Sequence, residues 1–290
     1  MVNMQKKSIQ ELEEACLSIR KDILELATRE VMHVGGDLSI ADVVTVLWQF
    51  QMNYDPKDPA WEGRDRFLLS KGHASAVAAF NQAAIGCYDR KEVLETYAKD
   101  GSRFSMHTCS LINPYVEISA GSLGHGMPIA CGMAAGLKLK GNKTSRVYVI
   151  MGDGEQSEGS IWEGALNASF HKLGNLVAII DNNGLGGDAE LTKSTTLGRI
   201  ADKYKAFGWH VEEFDGNDVS QIVEHLDSLP AADSDTPILF VCDTVKGKGV
   251  PFMENVPKWH CGAITREQYA ELEKGLDEQY RKRWNITDGE

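Results

Sequence analysis

The sequence predicts an α/β fold, in which a parallel β-sheet carries helices on both faces, and we expect residues 1–290 to form a single domain with a helical N-terminal approach. Two short runs, residues 146–151 and 175–181, are nearly continuous in β-branched and other apolar side chains. Strands buried on both faces of a parallel sheet have this pattern. Residues 159–173, between the two runs, are long enough for the helix that must connect parallel strands.

A third apolar run at residues 237–243 follows a helical pattern over residues 219–229. The repeated order of strand, helix and strand indicates an α/β protein. Near the N-terminus, Ser8 and Glu11 have the spacing of a capping box, which marks the start of a helix. Apolar residues at spacings of three and four then predict one buried helix face: Ile9, Leu12, Cys16, Ile19, Ile23 and Leu26.

The composition excludes several classes of protein. The 290 residues include 42 acidic and 30 basic side chains, and the formal net charge of −12 disfavours nucleic acid binding. No apolar run approaches the roughly 20 residues needed to cross a bilayer, and the N-terminus lacks the apolar core of a signal peptide. We therefore expect a cytoplasmic protein without a membrane partner. Six cysteines, none in a Cys-x-x-Cys pair, predict reduced thiols.

Polar motifs follow the first two of these strands. Gly152, Asp153 and Gly154 end the first, and Asn182 and Asn183 end the next. Each motif alone is typical of a turn. Together they place a carboxylate and an amide carbonyl at the sheet edge where open α/β folds bind ligands. With one main-chain carbonyl, these are ligands that Mg²⁺ takes when a phosphate supplies the other oxygens, so we expect a magnesium diphosphate site.

This pair of motifs, thirty residues apart, resembles the thiamine diphosphate signature, and residues 152–164 are similar to the version found in transketolases. Further motifs fall in transketolase order at residues 33–39, 65–73, 121–124, 203–210, 244–249 and 259–260. The resemblance covers residues 10–275 and implies a thiamine diphosphate-binding fold. It also implies thiamine diphosphate and Mg²⁺, or another divalent cation such as Ca²⁺, as cofactors.

The resemblance assigns cofactor contacts to individual residues. It implies that Asp153, Asn183 and the main-chain carbonyl of Leu185 bind the metal. Gly154 would contact the diphosphate, and Gly121 and Leu123 would lie against the two rings of the cofactor. Glu158 matches a glutamate buried between subunits, in a carboxylate chain that joins two active sites; alternatively it is a charge at the start of the following helix.

Four histidines match positions that contact substrate or cofactor in this family, and imidazole is suited to moving protons near neutral pH. The resemblance implies that His33 contacts a substrate oxygen and that His107 bonds a donor hydroxyl. His73 would lie near the diphosphate and the substrate, and His260 near the diphosphate and the reacting carbons. Around His107 the usual Gly-His-Pro is replaced by Met106-His107-Thr108.

Other departures leave the choice of sugars open, because His125, Ala120 and Cys261 stand where the family usually has other residues. The resemblance spans only the diphosphate-binding portion of a transketolase. We therefore expect the N-terminal subunit of a split enzyme, whose partner in an α2β2 assembly is a pyrimidine-domain subunit. Its substrates would be sugars, phosphorylated or otherwise modified. Two alternatives remain: the α subunit of a 2-oxo acid dehydrogenase or decarboxylase, and a non-catalytic regulatory subunit.

Overall fold

The computed structural model describes residues 6–187 and 189–286. The strands within them are β1 (Arg66–Leu69), β2 (Val147–Gly152), β3 (Leu176–Asn182), β4 (His210–Asp215) and β5 (Ile238–Asp243). They form one sheet with the order β1-β2-β3-β5-β4, in which every neighbouring pair is parallel.

Helices cover both faces of this sheet, as the sequence predicts. One face packs against α1 (Ile9–Ala27), α2 (Val34–Ser39), α3 (Ala41–Val46), α4 (Ser75–Ala84), α5 (Arg90–Thr96), α10 (Val219–Asp227) and α11 (Arg266–Arg283). The other face packs against α6 (Gly126–Leu139), α7 (Gly159–Phe170) and α9 (Ile200–Ala206). The short α8 (Leu191–Ser194) and single turns at Leu47–Gln51, Gly154–Ser157 and Pro257–His260 complete the elements. Alternate residues of the central strands enter the two cores, which explains their continuous apolar runs.

The predicted elements are confirmed to within a few residues. Strands β2, β3 and β5 occupy the three apolar runs, and α7 connects β2 to β3. At the start of α1, the Ser8 hydroxyl accepts a bond from the Glu11 backbone N–H and the Glu11 carboxylate accepts one from the Ser8 N–H, as a capping box requires.

Two strands were not predicted. β1 has only four residues, and β4 lies at the edge of the sheet with mostly exposed or half-exposed side chains. Neither therefore shows the continuous apolar pattern of a central strand. Because all strands are parallel, the motifs that follow β1, β2, β3 and β5 meet at one edge of the sheet, and the candidate site lies there.

Candidate functional site

A cavity of about 360 Å³ opens at the carboxyl ends of β2 and β3. Every site residue predicted from the sequence, except Glu158, lines it: His33, His73, His107, Gly121, Leu123, Asp153, Gly154, Asn183, Leu185 and His260. A larger cavity of about 750 Å³ lies between α6 and α7, but its lining is largely apolar and contains none of these residues. The clustered histidines and carboxylate identify the smaller cavity as the candidate active site.

Asp153 and Asn183, the predicted metal ligands, lie at one side of this cavity. Asp153 follows the last residue of β2, and its carboxylate accepts bonds from the backbone N–H of Gly154 (2.7 Å) and Gly184 (2.6 Å). Burial, and then the nearby Asp181 carboxylate, raise the pKa of Asp153 to about 6. The side-chain carbonyl of Asn183 accepts a bond from the Leu185 N–H at 3.1 Å. A cation bound here would stabilise the charged form of a buried carboxylate that lies beside a second carboxylate.

An ion pair forms part of the cavity wall beside these ligands. The Lys71 ammonium is paired with the Asp181 carboxylate, and both side chains are almost completely buried. Lys71 also donates to the Gly36 carbonyl at 3.1 Å. The Asp181 carboxylate accepts further bonds from Ser39 and Thr244, and from the Asn183 amide. The pair thus joins the segment after β1 to the end of β3.

Glu155 links two of the motifs found in the sequence. Its carboxylate accepts bonds from the Ser70 hydroxyl and from the backbone N–H of Gly124 (2.8 Å) and Gly152 (3.1 Å). Burial raises its pKa, although these bonds oppose the shift. Because Gly124 ends the motif at residues 121–124, Glu155 holds that motif against the end of β2.

Four imidazole rings share the cavity. The His33 ring centroid lies 5.3 Å from His73, 5.4 Å from His107 and 5.2 Å from His260. Burial lowers the pKa of His33, and burial and then the Lys71 ammonium lower that of His73 to about 2. Both rings are therefore neutral near pH 7. Within the described residues, buried Nδ1 of His33 has no hydrogen-bond partner, so a ligand in the cavity could satisfy it.

Close backbone packing fixes the position of His260. A Cβ atom at Gly35 would lie 2.4 Å from the Trp259 carbonyl oxygen, so only glycine fits at this point of α2. The Gly247 N–H donates to the Gly35 carbonyl at 3.0 Å. In the same way, a Cβ at Gly72 would lie 2.4 Å from that of Ala120. The segments that bear His33, His73 and His260 are therefore braced by their neighbours.

The remaining sequence features lie outside the cavity. Glu158 is exposed and stands just before α7, without a side-chain capping bond, so its role between subunits stays a prediction. His125 is exposed, and its Nδ1 lies 3.0 Å from the Leu123 carbonyl oxygen. Cys261 is exposed beside His260.

Two cationic residues of the cavity were not singled out from the sequence, although the quoted motifs contain them. Lys71 lies in the motif that ends at His73, and Lys246 lies in the motif at residues 244–249. Their side chains are buried, which is rare for lysine unless it is paired. A lysine inside a glycine-containing motif is the signal that could have identified them.

Residues 6–187 and 189–286 lack two features. No group of three or more His, Cys, Asp or Glu side chains there is arranged to hold a metal ion. A cation at Asp153 would therefore also need amide, main-chain and ligand oxygens. No helix in the same residues is long and apolar enough to cross a membrane.

Comparison with known proteins gives a consistent result. The family described as "Transketolase, thiamine diphosphate binding domain" matches residues 15–288. A relative in Phocaeicola vulgatus, named as a subunit of apulose-4-phosphate transketolase, is 38% identical over 91% of this chain and 92% of its own length. In Clostridium sp., "6-deoxy-6-sulfo-D-fructose transketolase subunit SqwG" is 36% identical over 88% of this chain and 94% of its own length.

A solved structure is similar over almost the whole chain. The transketolase from Leishmania mexicana superposes with a TM-score of 0.80 and 26% identity, over 97% of this chain. The match covers 46% of that longer protein. The two bacterial relatives, by contrast, have about the length of this chain.

Proposed function

The chain belongs to the transketolase family, whose thiamine diphosphate-binding domain it matches, and we propose that it is the cofactor-binding subunit of a split transketolase. The assembled enzyme would transfer a two-carbon ketol unit from a ketose to an aldose. One observation carries the proposal: four imidazole rings, Asp153 and Asn183 line the same cavity. Relatives of similar length that are named as transketolase subunits support it. They also favour ketol transfer over the 2-oxo acid dehydrogenase alternative.

The cavity residues fit the cofactor. Asp153, Asn183 and the Leu185 carbonyl would bind Mg²⁺, and the diphosphate would supply the other oxygens of its coordination sphere. The glycines at positions 152, 154, 186 and 187 leave space along this side of the cavity, so backbone groups can approach a phosphate closely. A cation bound there would stabilise the charged form of Asp153, which burial and the Asp181 carboxylate disfavour.

When bound, thiamine diphosphate supplies the electron sink that permits cleavage of the bond next to a ketose carbonyl. The chain's own residues would bind and orient the sugar and move protons at its hydroxyl oxygens. Neutral His33 and His73 can each offer one donor and one acceptor nitrogen to a hydroxyl. Their burial also limits the access of water to the reacting atoms.

We propose that the partner is a separate pyrimidine-domain subunit in an α2β2 assembly. Apolar side chains on α6 and α7 are exposed in the isolated chain: Leu139 is 90%, Leu166 57% and Phe170 79% exposed. Leu139 also lines the apolar cavity of about 750 Å³ between these two helices. Large apolar patches are uncommon on monomers and often mark an interface. The names of the relatives, which designate one subunit of an enzyme, agree with a second chain.

The sugars are proposed by class alone. One relative is named for apulose-4-phosphate and another for 6-deoxy-6-sulfo-D-fructose, so the named sugars carry a phosphate or a sulfonate. We propose that this chain also acts on a sugar that bears an anionic group.

A two-component titration tests the proposed function. The chain is mixed in increasing amounts with the proposed pyrimidine-domain partner, in the presence of thiamine diphosphate and Mg²⁺. Ketose donors and aldose acceptors with and without phosphate or sulfonate are supplied, and the products are measured. We expect no transfer by either chain alone and a rate that rises until the two are equimolar. Full activity of the chain alone, or turnover of pyruvate instead of ketoses, would contradict the proposal.

A further inference from the structure

Lys246 lines the candidate active site and contacts two other segments of its wall. The residue follows β5 by three positions, and only 3% of it is exposed. Its Nζ atom lies 3.0 Å from Nδ1 of His260 and 3.2 Å from the Gly186 carbonyl oxygen. The lysine thus bridges the segment that bears His260 and the loop that follows β3.

The chemistry of these groups decides which atom donates. A lysine ammonium has three N–H donors and no acceptor, and the Gly186 carbonyl can only accept. Nδ1 of His260 must therefore accept the bond from Lys246. In a neutral imidazole one nitrogen carries the proton and the other does not, so the proton of His260 resides on Nε2.

We propose that Lys246 is a positioning residue for His260, whose ring it holds as the Nε2-protonated tautomer by donating to Nδ1, so that His260 meets a sugar oxygen as a hydrogen-bond donor. The part of this statement that concerns the sugar rests on the proposed function. The part that concerns the tautomer rests only on the contacts of Lys246.

The surroundings of Lys246 make this arrangement rigid. Its Cγ atom lies 3.2 Å from the position that a Cβ of Gly35 would occupy, in the same close contact that holds the Trp259 carbonyl. The backbone of Gly247 is bonded to Gly35. His33 is different, because its buried Nδ1 has no hydrogen-bond partner among the described residues. The chain therefore fixes the tautomer of His260 through Lys246 and leaves Nδ1 of His33 to a ligand.

The tautomer can be measured without any substrate. The full chain is labelled with ¹⁵N-histidine, and two-bond ¹H–¹⁵N spectra are recorded, with His260 assigned by its loss in the His260→Gln variant. We expect Nδ1 to be unprotonated and Nε2 to be protonated in the unmodified chain. In Lys246→Met, which keeps the length of the side chain but not its donors, we expect a mixture of tautomers. Lys248→Met removes the same charge from the same turn outside the cavity, and should leave His260 unchanged.

Steady-state kinetics of the assembled enzyme give the second measurement. Lys246→Met should lower kcat about 10- to 100-fold, the usual cost of losing a group that orients a functional histidine, while Lys248→Met should have the wild-type value. An Nδ1-protonated His260 in the unmodified chain would overturn the proposal even if Lys246→Met does not fold. So would unchanged His260 spectra in Lys246→Met. If the unmodified enzyme transfers no ketol unit, the proposed function fails, whereas the spectra still decide the tautomer.

Discussion

Two buried ion pairs, Arg20–Asp42 and Lys71–Asp181, have different surroundings. Arg20 of α1 holds Asp42 of α3 through two bonds of 2.5 and 2.6 Å, and Asn217 adds a third at 3.0 Å. The pair lies away from the candidate active site. Lys71 and Asp181 are equally buried, but Lys71 lines the candidate active site and the Asp181 carboxylate is bonded to Asn183.

The comparison teaches that burial of a charge does not by itself indicate function. Both pairs carry a desolvation cost that their hydrogen bonds must offset. The Arg20 pair fixes how α1, α3 and the segment after β4 pack. The Lys71 pair also places a positive charge next to Asp153 and His73, where it changes their proton affinities. Position relative to the cavity, and not burial, separates the two roles.

The largest expected effect concerns the histidines of the cavity. We expect His33→Ala and His260→Ala each to lower turnover of the assembled enzyme roughly 10²–10⁴-fold, because each removes a group placed to transfer a proton or bond a sugar oxygen. Cofactor affinity should change much less. His225→Ala is the matched control, since His225 bonds Glu212 and stacks on Phe214 far from the cavity. Wild-type rates in His33→Ala would assign that residue a structural role.

The next test compares Asp153, in the candidate active site, with Asp42, in the Arg20 ion pair. Both aspartates are buried. Asp153→Ala removes a proposed metal ligand, so the affinity for thiamine diphosphate and Mg²⁺ should fall by more than about 100-fold while the fold is retained. Asp42→Ala should destabilise the chain and leave the affinity of the folded fraction unchanged. Calorimetric titration of both variants measures this, and equal affinities for wild type and Asp153→Ala would exclude the metal site.

Breaking each ion pair in turn tests whether only the Lys71–Asp181 pair affects cofactor binding. Lys71→Met and Arg20→Met both leave a buried carboxylate without its cation, so each should lower the free energy of unfolding by about 3–5 kcal/mol. Only Lys71→Met should also weaken cofactor binding, because Asp181 is bonded to Asn183. Chemical denaturation gives the first quantity and calorimetric titration the second. A similar loss of cofactor affinity in Arg20→Met would remove the distinction between the pairs.

The smallest expected effect concerns Asp37, a buried residue whose carboxylate Oδ2 has no hydrogen-bond partner among the described residues. Burial raises its pKa from 3.8 to about 7. The folded chain therefore holds this proton up to higher pH than the unfolded chain, so the contribution of Asp37 to stability falls as the pH rises from about 4 to about 7. Asp37→Asn removes this dependence.

The difference in the free energy of unfolding between Asp37→Asn and wild type should therefore shift in favour of the variant by about 2–3 kcal/mol as the pH rises from 5 to 8. Urea denaturation at both pH values measures the gain. The asparagine can still accept the bond that Asp37 accepts from the Val77 N–H, which keeps the comparison matched. A difference between variant and wild type that is constant with pH would show that Asp37 is charged in the folded chain throughout this range.

The sequence was sufficient for the central strands and for the composition of the site. β2, β3 and β5 are buried on both faces, so their apolar runs predict them directly, whereas the edge strand β4 has no such pattern. The resemblance to transketolases predicted that His33, His73 and His260 share one cleft, and all three line one cavity in the structure. The partners of the two lysines could not be predicted, because Asp181 lies 110 residues after Lys71 and no local pattern connects them.

The close contact between Gly35 and the Trp259 carbonyl has a consequence for redesign of the cavity. One wall is backbone packed against backbone, and any larger side chain there would displace a histidine. Three other lining residues, His107, Gly121 and Leu123, come from a stretch without regular helix or strand. In the same stretch Leu111 is 90% exposed. Libraries that aim to change the accepted sugar should therefore randomise Met106 and residues 108–119. They should leave His107, Gly121, Leu123, Gly35 and Trp259 intact.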